Sequence, residues 1–221
     1  MKKEIAEVIR GADTLGWKKI KVVFGDDFLD IEVAADCEIL SMPSMPRLVN
    51  SAAEITHALN QPIGSPTISE IIHSKEKPVE DLTVCITVSD ITRPVPYKGE
   101  NGLLLPLLAS IEQSGVKKEN IVFVIGNGMH RHSTLEERIY MYGQEVVNNY
   151  RIVDHDCEDD DAMVLAAQTK RGTQVYLNKI FYESDVKIIT GLVESHFMAG
   201  VSGGRKAVCP ALVNTKTIQV F

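Results

Sequence analysis

Two histidines, an arginine and a lysine stand where this sequence can do chemistry on a small anion. His196 and Lys206 bracket the stretch His196-Phe-Met-Ala-Gly200-Val-Ser202-Gly203-Gly204-Arg205-Lys206. Its three glycines let backbone amides turn toward a bound group and approach it closely. That suits an anion cradle, although a Gly-rich surface turn with an incidental lysine has the same composition. Asp90 and Arg93 stand three apart in Ser89-Asp90-Ile91-Thr92-Arg93-Pro94. An arginine fork binds carboxylate or phosphate through two parallel hydrogen bonds, and a neighbouring aspartate can hold the fork in place. The alternative is a structural Asp–Arg pair that caps the turn. Gly126-Asn-Gly128 begins like a dinucleotide fingerprint, but Arg131 stands where the third glycine belongs and no acidic residue follows at the usual spacing. A nicotinamide-binding site of that kind is therefore disfavoured. What remains is His130 on a glycine-lined loop, a side chain able to take or give a proton near neutral pH. His132, at a helix start, reads as exposed.

These residues need a scaffold that brings them together, and the periodicity supplies one. Leu82-Thr-Val-Cys-Ile-Thr-Val88, Ile121-Val-Phe-Val-Ile125 and Asp185-Val-Lys-Ile-Ile-Thr-Gly191-Leu-Val193 are β-branched runs bounded by turn residues. Each delivers its polar residues just after the strand, at the rim where ligands collect in open α/β sheets. A helix is predicted from Gly102 to Ser114 with Pro106 in its first turn. Another opens on a Ser133 to Glu136 capping box. The fold expected is α/β, a layered Rossmann-like sheet with an N-terminal β-hairpin and a small helical lobe.

The hairpin joins Ile20-Lys-Val-Val-Phe24 to Leu29-Asp-Ile-Glu-Val33 across Gly25-Asp26-Asp27, and residues 1–19 read as a short helix or a lead-in to it. Ser41-Met-Pro43-Ser-Met-Pro46 is a breaker. Ser51 to Glu54 offers a capping box for a helix running toward Leu59, and Thr67 to His73 gives another short helix; His57 and His73 are ordinary surface or packing residues. Thr173-Gln-Val-Tyr-Leu177 and the closing Thr217-Ile-Gln-Val-Phe221 read as further strands. The domain organisation expected is 1–80 for the hairpin and short helices packing on the main domain, and 81–221 for an α/β cofactor-binding domain.

Composition narrows the partners. A length of 221 residues allows one sizeable core. The net charge of -7 leaves no electrostatic footprint for nucleic acid, and no basic cluster suggests an anionic membrane. No apolar run reaches a membrane span and no leader-like segment opens the chain, so the reading is cytoplasmic. Four dispersed cysteines, with no C-x-x-C pair, argue against disulfides and structural zinc. The acidic run from Asp154 to Asp161 lacks the glycine and the spaced bidentate acid of a calcium loop, so it reads as a solvated loop or helix start.

Two imidazoles on different loops can face opposite sides of one ligand, and opposed bases imply interconversion at a stereocentre. The Cα proton of a 2-hydroxy acid is too weakly acidic for histidine alone. An electron-accepting cofactor solves this by removing a hydride while histidine removes the hydroxyl proton, and Lys206 offers such a cofactor a covalent anchor. An anion- or nucleotide-binding module without turnover, or a metal-free enzyme on the same scaffold, would keep similar loops.

Asp90-Ile-Thr-Arg93-Pro, Gly126-x-Gly-x-His130-Arg and His196-x-x-x-Gly-x-Ser-Gly-Gly-Arg-Lys206 together resemble the N-terminal domain of the nickel-pincer-nucleotide lactate racemase family. The resemblance implies that Lys206 carries a nickel-holding pyridinium bisthiocarboxylate mononucleotide. It also implies that His130 and His196 are the alternate proton donor and acceptor. Asp90, Ile91, Thr92, Arg93, Gly203 and Gly204 would contact the cofactor, and Arg93 the substrate carboxylate. The family's nickel-binding histidine lies beyond the tether lysine, yet 207–221 contains no histidine, so no metal ligand is expected within the chain. The expectation is a fragment that lacks a C-terminal domain and is inactive by itself, with a small 2-hydroxy acid as the parent's substrate.

Overall fold

The computed structural model describes residues 16–41 and 45–220. Strands β1 (Trp17–Phe24) and β2 (Asp27–Ala34) pair antiparallel around Gly25 and Asp26, in register from Trp17 opposite Ala34 to Phe24 opposite Asp27. Gly25, at φ +62°, supplies the positive φ that tight hairpins need at the first turn position. Residues 1–15 and 42–44 lie outside the described residues, and with them most of the N-terminal helix expectation and part of the breaker. The chain divides into two compact units between Met45 and Pro46.

In the second unit, α1 (Ser51–Asn60) is capped by Asn50, whose side chain accepts from the Ala53 amide. Ser51 was the expected cap, but its hydroxyl donates instead to the Asn101 carbonyl at 2.9 Å. Helix α2 (Ile68–His73) opens on a Thr67/Glu70 capping box. Ile72 sits in the same core as the sheet, so these helices belong with the α/β layers. Next come β3 (Val84–Val88), α3 (Leu104–Gln113) with Pro106 in its first turn, and β4 (Ile121–Ile125). Helix α4 (Leu135–Tyr142) is capped one residue later than expected, by Thr134 and Glu137, because the Ser133 amide is committed to the Asp154 carboxylate at 2.9 Å. Then follow α5 (Gln144–Asn149), β5 (Arg151–Asp154), an antiparallel pair of β6 (Met163–Gln168) and β7 (Gln174–Asn178), α6 (Lys179–Glu183) and β8 (Val186–Ile189). A two-residue pair, β9 (Ser195–His196) with β10 (Gly200–Val201), precedes the last helix, α7 (Thr215–Ile218). That helix replaces the strand expected at the end of the chain; of that stretch, Phe221 lies outside the described residues.

The central sheet runs β5-β4-β3-β8, all parallel. Every residue of β3 and β4 is buried, as a parallel sheet covered on both faces requires. Alternate side chains serve different layers. Val84, Ile86, Ile121, Phe123 and Ile125 pack with Leu104, Leu107 and Ile111 of α3, while Cys85, Val122 and Val124 pack with Leu177, Phe181, Leu212 and Val213. From β3 the chain steps to β4 and β5 in one direction, then returns to place β8 on the other side of β3. The reversal opens a crevice beyond the C-terminal ends of β3 and β8, the usual ligand position in such sheets.

At the opposite end of those two strands, Asp185 fastens β8 to β3. One carboxylate oxygen accepts from the Thr83 amide and hydroxyl, both at 2.8 Å, and from Lys77 at 2.9 Å. Burial works to raise the Asp185 carboxyl, but these hydrogen bonds outweigh it and hold the group at about 2. A folded value below the unfolded one of about 3.9 contributes stability that is complete above pH 4 and disappears as pH falls toward 2. Asp185→Asn is therefore expected to lower the urea midpoint at pH 7 and to flatten the stability profile between about pH 4 and 2. An unchanged acid limb would show that another carboxylate dominates it.

Candidate active site

The crevice is a cavity of about 300 Å³ lined by the loops that leave β3, β4 and β8, by the segment 196–211, and by Ile218. Its floor is fixed by two buried tyrosines whose rings meet at 5.7 Å. The Ser89 amide donates to the Tyr97 hydroxyl, and the Tyr142 hydroxyl donates to the Ser89 carbonyl, both at 2.9 Å. Tyr97 also shares a 2.9 Å hydrogen bond with the Thr190 hydroxyl, tying the end of β3 to the end of β8. On the other side, the Gly126 amide donates to the Val88 carbonyl at 2.8 Å.

On that floor Asp90, only 5 % exposed, reaches across to the β4 loop. Its Oδ2 lies 2.7 Å from His130 Nδ1, and its Oδ1 accepts from the Thr92 amide at 3.1 Å and hydroxyl at 2.6 Å. The expectation that Asp90 holds the Arg93 fork is thus corrected: both its oxygens are engaged elsewhere. Arg93 Nε instead faces Glu194 Oε1 at 3.3 Å, and its Nη1 donates to the Thr92 carbonyl. Glu194, two residues before His196, is the charged group that sequence reasoning missed; its only signal was proximity to that histidine.

His196 reaches the cavity from the short β9–β10 pair, with its ring stacked on Phe197 at 5.3 Å. Its Nδ1 accepts from the Met198 and Ala199 amides, each at 3.2 Å. Beneath this pair, buried Ser202 donates to the Leu192 carbonyl at 2.6 Å and accepts from the Glu194 amide at 3.1 Å. Gly203 follows at φ +69°, where a Cβ would come within 2.9 Å of the Leu192 carbonyl oxygen. Neither the backbone conformation nor the rigid contact tolerates a side chain. Gly203→Ala is expected to cost of order 1–3 kcal/mol in urea unfolding; an unchanged midpoint would show that the loop relaxes freely.

Lys206 lines the same cavity and makes no ion pair among the described residues. Burial pushes its ammonium below the ordinary lysine range, the Arg93 guanidinium adds to that effect, and Glu194 opposes it. Asp90, Thr92, Arg93, His130, His196, Gly203 and Lys206 therefore share one cavity wall. Ile91 packs against the hydrophobic core, and Gly204 does not line the cavity.

The acidic run resolves into separate tasks. Asp154 pairs with Arg138, Asp159 caps the turn at 160–162, Asp160 pairs with Lys216 at 2.7 Å, and Asp156 lies 3.4 Å from His132. Among the described residues, no three His, Cys, Asp or Glu side chains converge to hold a metal. No helix among them is long and apolar enough to cross a membrane.

A doubly wound parallel sheet with two imidazoles, a guanidinium and an amine around its switch-point crevice defines a class of α/β domain suited to acid–base work on a small anion. The model of the lactate racemase N-terminal domain matches residues 24–221, and the chain belongs to that family. It is 38% identical over 165 residues to the lactate racemase of Lactiplantibacillus plantarum, covering 75% of this chain and 37% of that protein. It is 33% identical over 172 residues to the lactate racemase of Thermoanaerobacterium thermosaccharolyticum, covering 77% and 38%. The structure of the lactate racemase apoprotein from Thermoanaerobacterium thermosaccharolyticum aligns with a TM-score of 0.71 at 30% identity, over 91% of this chain and 45% of that one. The chain thus spans less than half the length of these relatives.

Proposed function

We propose that this domain carries the cofactor anchor and the proton-transfer groups of a 2-hydroxy-acid racemase, with lactate or a close analogue as substrate. The observation that carries the reading is that His130, His196, Arg93 and Lys206 line one cavity. Lys206 fits a covalent anchor for the nickel-pincer nucleotide: its amine is partly desolvated, has no ion-pair partner among the described residues and stands beside the Gly203 loop. Bound there, the nucleotide supplies a reversible hydride acceptor, the chemistry that side chains cannot provide. The residues do the rest. Arg93 exchanges Glu194 for the substrate carboxylate, fixing the Cα between the loops. His130 takes the hydroxyl proton on one face, at Nε2, because its Nδ1 is held by Asp90. His196 serves the other face. Lys206 is the residue that would hold the nucleotide, and with it the nickel. The share of the relatives that the chain spans supports the view that a further domain closes the site and that this chain alone does not turn over.

The test is the intact mass of the chain purified from a host that makes the nucleotide. A single adduct that disappears in Lys206→Arg is the expected result. An unmodified lysine under those conditions would overturn the proposal.

A further inference from the structure

We infer that the two cavity histidines rest in opposite tautomers: His130 presents a bare Nε2 and His196 presents an Nε2–H. The inference deepens the racemase reading and takes its functional meaning from it, but it stands on hydrogen bonds that involve no ligand. His130 Nδ1 lies 2.7 Å from Asp90 Oδ2. An ionised carboxylate only accepts, so Nδ1 carries a proton, and in the neutral ring the lone pair is then on Nε2. Asp90 is a positioning residue here, because Thr92 pins its other oxygen and keeps it from turning away. His196 has the reverse arrangement. Backbone amides only donate, and two of them, Met198 and Ala199, point at its Nδ1. A neutral imidazole carries one ring proton, which must then be on Nε2.

The two rings are therefore not equivalent. His130 can take a proton at Nε2 without any rearrangement. His196 can donate a hydrogen bond, but to hold two protons it must release both amides, because an imidazolium donates from both nitrogens. The turn at 197–199 is accordingly a latch on His196. Little packing resists its release: Phe197 is 95 % and Met198 80 % exposed. In the racemase reading, the enantiomer whose hydroxyl faces His130 finds its base ready. His196 waits for the turn to open, whether to take the other enantiomer's proton or to hold the second proton that it returns to the carbonyl oxygen.

The test is a long-range proton–nitrogen correlation spectrum of the 221-residue chain, labelled with nitrogen-15 histidine, at about pH 8 where unperturbed imidazole is neutral. Two other histidines serve as internal references. His73 Nδ1 faces the Ser69 carbonyl at 2.7 Å and so must carry the proton on Nδ1. His155 Nε2 faces the Val213 carbonyl at 3.1 Å and must carry it on Nε2. Signals lost in His130→Gln and in His196→Gln assign the cavity rings. His130 should show the pattern of His73, and His196 that of His155. Ala199→Pro, which removes one amide donor, should shift His196 toward the other tautomer and leave His130 unchanged. Like patterns at the two rings, or tautomer averaging at both, would overturn the inference. Neither nucleotide nor substrate is needed, so failure of the adduct test leaves this result intact, and the converse holds.

Discussion

In an enzyme that works as proposed, His130→Ala is expected to slow racemisation by about 10²–10⁴-fold, and His196→Ala by a similar factor, while an adduct on Lys206 persists in both. Positioned general acid–base catalysis typically contributes that much, about 3–5 kcal/mol of barrier. In that reading the proton leaves the hydroxyl as the hydride leaves Cα, and the two imidazoles stand on the cavity wall to take it. Racemisation requires departure and return on opposite faces, so one histidine cannot substitute for the other. The variants should therefore fail in both directions of the reaction. Retention of the adduct separates a chemical defect from a loading defect, since neither histidine hydrogen-bonds Lys206. Two variants with near-normal rates would remove the two-base assignment and leave a nucleotide-binding domain.

Legibility of this site in the sequence stops where local spacing stops. Strands β3, β4 and β8 were readable because buried parallel strands are short apolar β-branched runs, and polar residues follow each of them directly. His130, His196, Arg93 and Lys206 could thus be placed on one rim. Their pairings could not be read. Asp90 was assigned to Arg93, three residues away, but it bonds His130, forty residues along the chain, because the loops of two neighbouring strands meet where the Gly126 amide donates to the Val88 carbonyl. Glu194 took the arginine from a third loop. The end of the chain shows the same limit in reverse. Thr217-Ile-Gln-Val alternates like a strand, yet Asn214 accepts from the Thr217 amide and starts a helix, and the Thr217 hydroxyl donates to the Gln174 carbonyl. An asparagine cap was visible three residues upstream. The contact with β7 that rewards it was not.

The strand that presents His130 is also where the core should be most sensitive. Phe123 is fully buried at the middle of β4, opposite Ile86 on one side and Ile152 on the other, with its ring edge-on to Tyr150 at 5.7 Å. Phe123→Ala is expected to lower the free energy of unfolding in urea by about 3–5 kcal/mol, the usual cost of emptying a large aromatic site. Against a total of roughly 5–15 kcal/mol for a domain, that loss should leave a measurable unfolded population at 37 °C. Phe123→Leu, which retains much of the volume, should cost less than half as much. If the domain unfolds cooperatively, the folded fraction of either variant keeps Asp90 and His130 in contact, so the His130 nitrogen signals should lose intensity without moving. A shift of those signals at constant stability would mean that the β4 loop is free of its strand. An alanine cost below about 1 kcal/mol would mean that the layer under α3 does not close on Phe123.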